Sequence, residues 1–166
     1  MPSPTLLIAY DGSPNAQSAV HTVAGLFPGA TALLFYARQP LEGFAAHLEG
    51  HPALEKLQDL DAAALDASER IAADGAQLAL DLGLKAEALI SSTMATASEA
   101  IVEAAEVRGV DLIVLGSRGL RGFTATVLGS TSANVLHHAT RPTLVIPSDD
   151  VAAARRTSRR ATPPRR

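Results

Sequence analysis

The sequence predicts an α/β fold, an open five-stranded parallel sheet with helices on both faces. Three observations carry this. Five short strand-like segments, most of them continuous apolar runs, are separated by segments whose apolar residues recur at helical spacing, so strand and helix alternate along the chain. The runs are continuous, not alternating, as in strands buried on both faces. And the 166 residues are 47% hydrophobic but only 4% aromatic, which suits an aliphatic core of Leu, Ile, Val and Ala.

The first strand is read at Leu6–Tyr10 and ends at Asp11-Gly12-Ser13-Pro14, where Ser13 is placed to cap a helix and Pro14 suits its first position. Ala16, Ala19, Val20, Val23, Ala24 and Phe27 follow at helical spacing until Pro28-Gly29. A second strand covers Ala32–Tyr36. Residues 38–52, with Pro40, Gly43, Gly50 and Pro52, read as a loop. From Ala53 to Leu82 a long helix is expected, with Leu54, Leu57, Ala64, Ile71, Leu78 and Leu82 on its buried face and Gly83 as a left-handed cap. A weaker third strand spans Ala86–Ile90. Thr96-Ala97-Ser98-Glu99 has the form of a capping box and opens a helix that ends near Gly109. Leu112–Leu115 is the clearest strand. A helix over Ser130–His138 and a fifth strand at Thr143–Ile146 complete the alternation. The domain is assigned to residues 1–147, and 148–166, which lack apolar periodicity, to a disordered Arg-rich tail.

There is no cysteine, which removes disulfides, thiolate catalysis and Cys-based metal sites, and which fits a reducing cytoplasm. No run approaches the roughly 18 apolar residues of a membrane span, and the start of the chain lacks the basic region of a signal peptide. A cytoplasmic protein with no membrane partner is expected. The formal charge of −3 is unevenly spread. Residues 151–166 hold six of the 14 basic residues and no acid, which leaves eight against 17 acids elsewhere, a formal −9. Such a body repels nucleic acid, leaving only the tail to attract it.

The stretch that carries chemistry is Gly116-Ser117-Arg118-Gly119, then nine residues, then Gly129-Ser130. It begins where a buried strand ends and finishes where a helix starts, the place where open α/β sheets bind ligands. Gly116 and Gly119 let the backbone come close to a bound group. Gly129 and Ser130 put free backbone N–H groups at a helix N-terminus, where partial positive charge favours phosphate, and the Ser130 hydroxyl is placed to donate to it or to cap the helix. Each glycine alone is an ordinary turn residue; the four together, in a strand–loop–helix context, point to phosphate.

Gly-x-x-Gly, nine residues and Gly-Ser resemble the ATP-binding signature of the universal stress proteins. The flanks Val110–Ser117 and Pro142–Ile146 and the opening Ile8-Ala9-Tyr10-Asp11-Gly12-Ser13 are similar to that family as well, over roughly residues 4–147. The resemblance implies an adenine-nucleotide α-hydrolase-like, Rossmann-like fold and an ATP site, with magnesium as a candidate companion. It would place Asp11 near adenine or ribose and the Tyr36 backbone at the adenine edge. Gly116 and Gly119 would flank ribose and phosphates, and Gly129 with Ser130 would hold the phosphates. It also implies a homodimer through the last strand, paired antiparallel across the dimer. Two positions depart from the family's usual pattern: Tyr36 replaces a small aliphatic residue, and Ser91–Ala95 lacks a glycine.

Arg118 and Arg121 lie in the loop and are either phosphate partners or solvated. Asp11 is either a magnesium ligand or a turn-forming Asp that bonds its own backbone. His137 and His138 have no acidic pair at ligand spacing, so no metal is assigned there. In the tail, Ser158 and Thr162 each follow an arginine pair by two residues, a pattern basophilic kinases accept. Neither a Walker A motif nor a Ser–His–Asp arrangement is present, and no base for activating water stands out. The reading is therefore an ATP-binding, nucleotide-dependent stress-response regulator or sensor, not a fast enzyme. A slow ATPase or phosphoryl-transfer enzyme and a dimerising module without ATP are the alternatives.

Overall fold

A computed structural model describes residues 3–41, 48–117 and 128–161. Its order is β1 (Thr5–Ala9), α1 (Pro14–Leu26), β2 (Thr31–Arg38), α2 (Ala53–Asp81), β3 (Lys85–Ser92), α3 (Ala97–Val107), β4 (Leu112–Gly116), α4 (Ser130–His138), β5 (Thr143–Ile146) and α5 (Asp149–Ala161). The five strands form one sheet in the order β3-β2-β1-β4-β5, every neighbouring pair parallel. The expected open parallel sheet is thus the observed one.

The central strands β1, β2 and β4 are continuous apolar runs because both their faces are covered. Leu6, Ile8, Leu34 and Val114 turn to one face, where they pack with Val20 and Val23 of α1 and Ala76 and Ala79 of α2. Leu7, Leu33, Phe35 and Ile113 turn to the other, against Ala100, Ile101 and Ala105 of α3 and Val135 of α4. Residues one apart serve opposite cores, the period-two rule of a strand. Tyr10 follows β1 on the α2 side, and Gly75 makes room for its ring: a Cβ there would lie 2.6 Å from the ring's Cδ1.

Three sequence readings are corrected. Of the residues read on the inner face of α2, Ile71, Leu78 and Leu82 do pack against the core and Leu54 and Leu57 are half-buried, but Ala64 is exposed. The buried residues of the helix are Asp61, Ser68, Ala72, Gly75, Ala76 and Ala79. Asp61, which the apolar pattern did not include, turns inward to an ion pair with Arg38, both side chains buried. Asp61 also accepts from the Leu41 N–H at 2.7 Å, so it fixes the chain leaving β2. The third strand is longer than expected, since β3 pairs with β2 from Thr31↔Lys85 to Arg38↔Ser92. And the segment assigned to a disordered tail is helical over Asp149–Ala161. Asp149 and Asp150 favour the positive end of that helix, Ala and Arg are strong helix formers, and Val151 buries its side chain against the body. Among the described residues no helix is long and apolar enough to cross a membrane.

Candidate functional site

In this order of strands, β1 sends its connection to one side, to β2, while β4 lies on its other side. The carboxyl ends of β1 and β4 therefore flank the point where the winding reverses, which is where open α/β sheets leave a crevice. The chain turns sharply after β1. Gly12 has φ +77°, a conformation side chains rarely tolerate, and the Ser13 N–H donates to Asp11 Oδ1 at 3.0 Å. The turn-forming reading of Asp11 is thereby realised, with the carboxylate half-buried at the end of β1. Ser13 Oγ accepts from the Ala16 N–H at 3.2 Å and caps α1, with Pro14 in the first helical turn.

On the neighbouring strand, the Tyr10 N–H donates to the Phe35 carbonyl at 2.9 Å, so Tyr36 stands level with the residues that follow β1. Tyr36 is half-buried and pairs in register with Ile90 of β3.

Beyond β4, Gly116 and Ser117 form one stem of the loop and Gly129 begins the other. Two bonds staple the stems. The Gly129 N–H donates to the Ser117 carbonyl at 2.8 Å, and Ser132 Oγ donates to the Gly116 carbonyl at 2.8 Å. This corrects the expectation for the helix start: Gly129 is the N-cap, its N–H is spent on Ser117, and no side chain caps α4. The Ala133 N–H takes the Gly129 carbonyl, the first bond of the helix. Ser130, Thr131 and Ser132 therefore contribute the N–H groups with no acceptor inside α4. No acid lies in the first turn of α4, whereas the Asp11 carboxylate stands at the N-cap of α1. Ser130 is exposed at that end.

Asp11, Tyr36, Gly116, Gly129 and Ser130 are thus gathered at one edge of the sheet. Gly119, Arg118 and Arg121 lie outside the described residues. His137 and His138 sit at the other end of α4. Among the described residues no group of three His, Asp or Glu could hold a metal ion.

Sequence reasoning missed the side chains that build the edge. Asn15 is buried and its Nδ2 donates to the Ile146 carbonyl at 3.3 Å. Ser117 and Ser132 are buried too. Arg38 and Asp61 close the far side of β2. Their partners are distant in sequence (Asn15 and Ile146 are 131 residues apart), so no local spacing announces them.

Tyr10 borders this edge. Burial raises its phenol above the ordinary value of 10, the charges of Asp74 and Asp11 add to the rise, and a hydrogen bond with the Gln17 side chain opposes it.

With that geometry in hand, comparisons with known proteins agree on one grouping. A sequence profile described as the universal stress protein family matches residues 3–147. A universal stress protein of Thermus aquaticus, named for its place in the 3′ region of a QAH/OAS sulfhydrylase, is 31% identical over 144 residues, 86% of this chain and 97% of its own. The solved structure of MJ0577, a universal stress protein of Methanocaldococcus jannaschii, superposes with a TM-score of 0.72 at 23% identity, covering 89% of this chain and 97% of that one. A universal stress protein family protein from Arabidopsis thaliana, solved with AMP bound, has a TM-score of 0.56 at 18% identity and covers 88% and 92%.

Proposed function

The chain belongs to the universal stress protein family, and on that premise we propose that it binds an adenine nucleotide, ATP foremost, at the carboxyl ends of β1, β2 and β4. One observation carries the reading. The stapled stems of the β4–α4 loop put the acid-free N-terminus of α4 at the same sheet edge as Asp11 and Tyr36. Backbone N–H groups at Ser130–Ser132 suit phosphate oxygens. The Gly116 backbone, without a Cβ, suits close approach of the ribose and phosphates. The half-buried end of β2 at Tyr36 suits the adenine edge. Asp11 is the carboxylate at this edge that fits a magnesium ion shared with phosphate. The AMP bound to the Arabidopsis relative supports an adenine nucleotide.

The role is a nucleotide-dependent regulator or sensor of the stress response, in the cytoplasm, and not a fast enzyme. Lys85 lies at the amino end of β3, the opposite edge of the sheet, and Lys56 is exposed on the first turn of α2. Neither is placed as a phosphate clamp. The edge strand β5 pairs with that of a second copy.

Titration of the full chain with Mg-ATP tests the site. A tight site gives about 2.7 kcal/mol of added stability at roughly 100 times the dissociation constant. Gly129→Val is the decisive variant. Gly129 has φ −61° and ψ 149°, a conformation valine adopts freely, so the backbone there and its N–H bond to Ser117 are expected to hold, which a far-UV spectrum and a thermal melt check. The branched side chain would stand where phosphate approaches, and detectable affinity is expected to vanish. Unchanged affinity in this variant would overturn the assignment.

A further inference from the structure

We propose that Ser117 is a positioning residue, whose hydroxyl sets the stem of the β4–α4 loop and ties the first turn of α5 to it. The part that concerns ligand binding rests on the nucleotide reading above; the mechanical part does not. Ser117 is 6% exposed, yet all its polar atoms are engaged. Its N–H donates to the Ile146 carbonyl at 2.7 Å and its carbonyl accepts from Gly129 at 2.8 Å. Its Oγ donates to Asn15 Oδ1 at 3.4 Å and accepts from the Ser148 N–H at 3.2 Å. Asn15 Nδ2 returns to the same Ile146 carbonyl at 3.3 Å, which closes a ring of bonds among the start of α1 and the ends of β4 and β5.

A hydroxyl supplies one donor and two acceptor sites. Here the donor goes to α1, and one acceptor site goes to the residue that opens α5. The side-chain bond to Asn15 is long and the backbone bonds are short, so the backbone places Ser117 and the hydroxyl transmits that placement outward. Ser148 precedes the first turn of α5 and is bonded to Asp150 within that turn. Val151 is buried, while Ala153, Arg156 and Thr157 are exposed. The Ala152 N–H bonds to the Ser148 carbonyl at 2.9 Å, so whatever fixes Ser148 fixes the first turn. A shift of the loop stem therefore reaches the arginine-bearing helix through the Ser117 hydroxyl on Ser148, beside the backbone bond that Ser117 makes to Ile146.

Site-resolved amide exchange on the full chain, without and with Mg-ATP, tests this with Ser117→Ala. In the ligand-free protein, exchange at Ala152 and Ala153 is expected to quicken by about tenfold, while amides of β1 hold their protection. With Mg-ATP, the variant is expected to bind about three- to tenfold more weakly, as loss of one hydrogen bond's worth of positioning gives. Bound nucleotide slows exchange at Ala152 in the parent and leaves it unchanged in the variant. Where Ser117→Ala does not fold, Ser117→Cys makes the same comparison, since it keeps the volume and sulfur accepts weakly. Unaltered exchange at Ala152 in the ligand-free variant overturns the proposal. So does an unaltered affinity, given a parent that binds. A parent that binds no nucleotide overturns the proposed function instead, and the ligand-free comparison still decides what Ser117 holds.

Discussion

Tyr10 shows how one side chain joins the core to the site. Its ring fills the space left by the missing Cβ of Gly75, and its phenol stands near Asp11 and Asp74. Because its folded pKa is raised, the native state prefers the neutral phenol. That preference contributes fully below the unfolded value near 10 and is lost as pH climbs from there through the folded value. Denaturant titrations from pH 8 to pH 11 are expected to show, above about pH 10, a fall that Tyr10→Phe removes. A fall of equal size in both proteins would place the alkaline sensitivity elsewhere. At this scale the sequence was readable where a residue acts on its neighbours. Ser13 caps the helix three residues on, and Asp11 bonds two residues on. It was silent on Asn15, Ser132 and the Arg38–Asp61 pair, since each is defined by a partner that only the folded sheet brings near.

Among the elements, α3 is the one whose local code is complete. Thr96 Oγ1 accepts from the Glu99 N–H at 3.3 Å while Glu99 Oε2 accepts from the Thr96 N–H at 2.8 Å. The bonds from Thr96 lower the Glu99 carboxyl below its ordinary 4.5. With a depressed folded value, this contribution stands above pH 4.5 and fades as pH falls through the folded value. Thr96→Ala should cost about 1 kcal/mol near neutrality, and thermal melts should show the gap to the parent narrowing in acid. A gap independent of pH would mean that the box is not what the threonine contributes. The same reading by local code located all five strands and the first four helices. It failed for α5 because that segment carries no apolar stripe, Val151 being the buried residue among its described side chains, and composition weighed more than propensity. In α2 it found Ile71, Leu78 and Leu82 on the inner face but placed exposed Ala64 there and missed the inward turn of Asp61.

At the scale of the molecule, β5 lies at one margin of the sheet and β3 at the other. The Thr143–Ile146 edge is short and apolar, so pairing it with a second copy removes an edge open to aggregation. Sedimentation equilibrium is expected to return the mass of two 17.2 kDa chains, and a single-chain mass at micromolar concentration would refute the pairing. The middle of the sheet was legible only as a class: alternation implied parallel strands, while the order β3-β2-β1-β4-β5 came from how the pieces meet. That order has a consequence for the chain as it is made. β1 is central, flanked by β2 and β4, yet Leu6 and its β4 partner Leu112 are 106 positions apart. At about 5–20 residues per second a ribosome needs roughly 5–20 s to deliver the second flank. During that interval the Leu6-Leu7-Ile8 edge of the nascent half-sheet is exposed, and it is the surface a holding chaperone would be expected to shield.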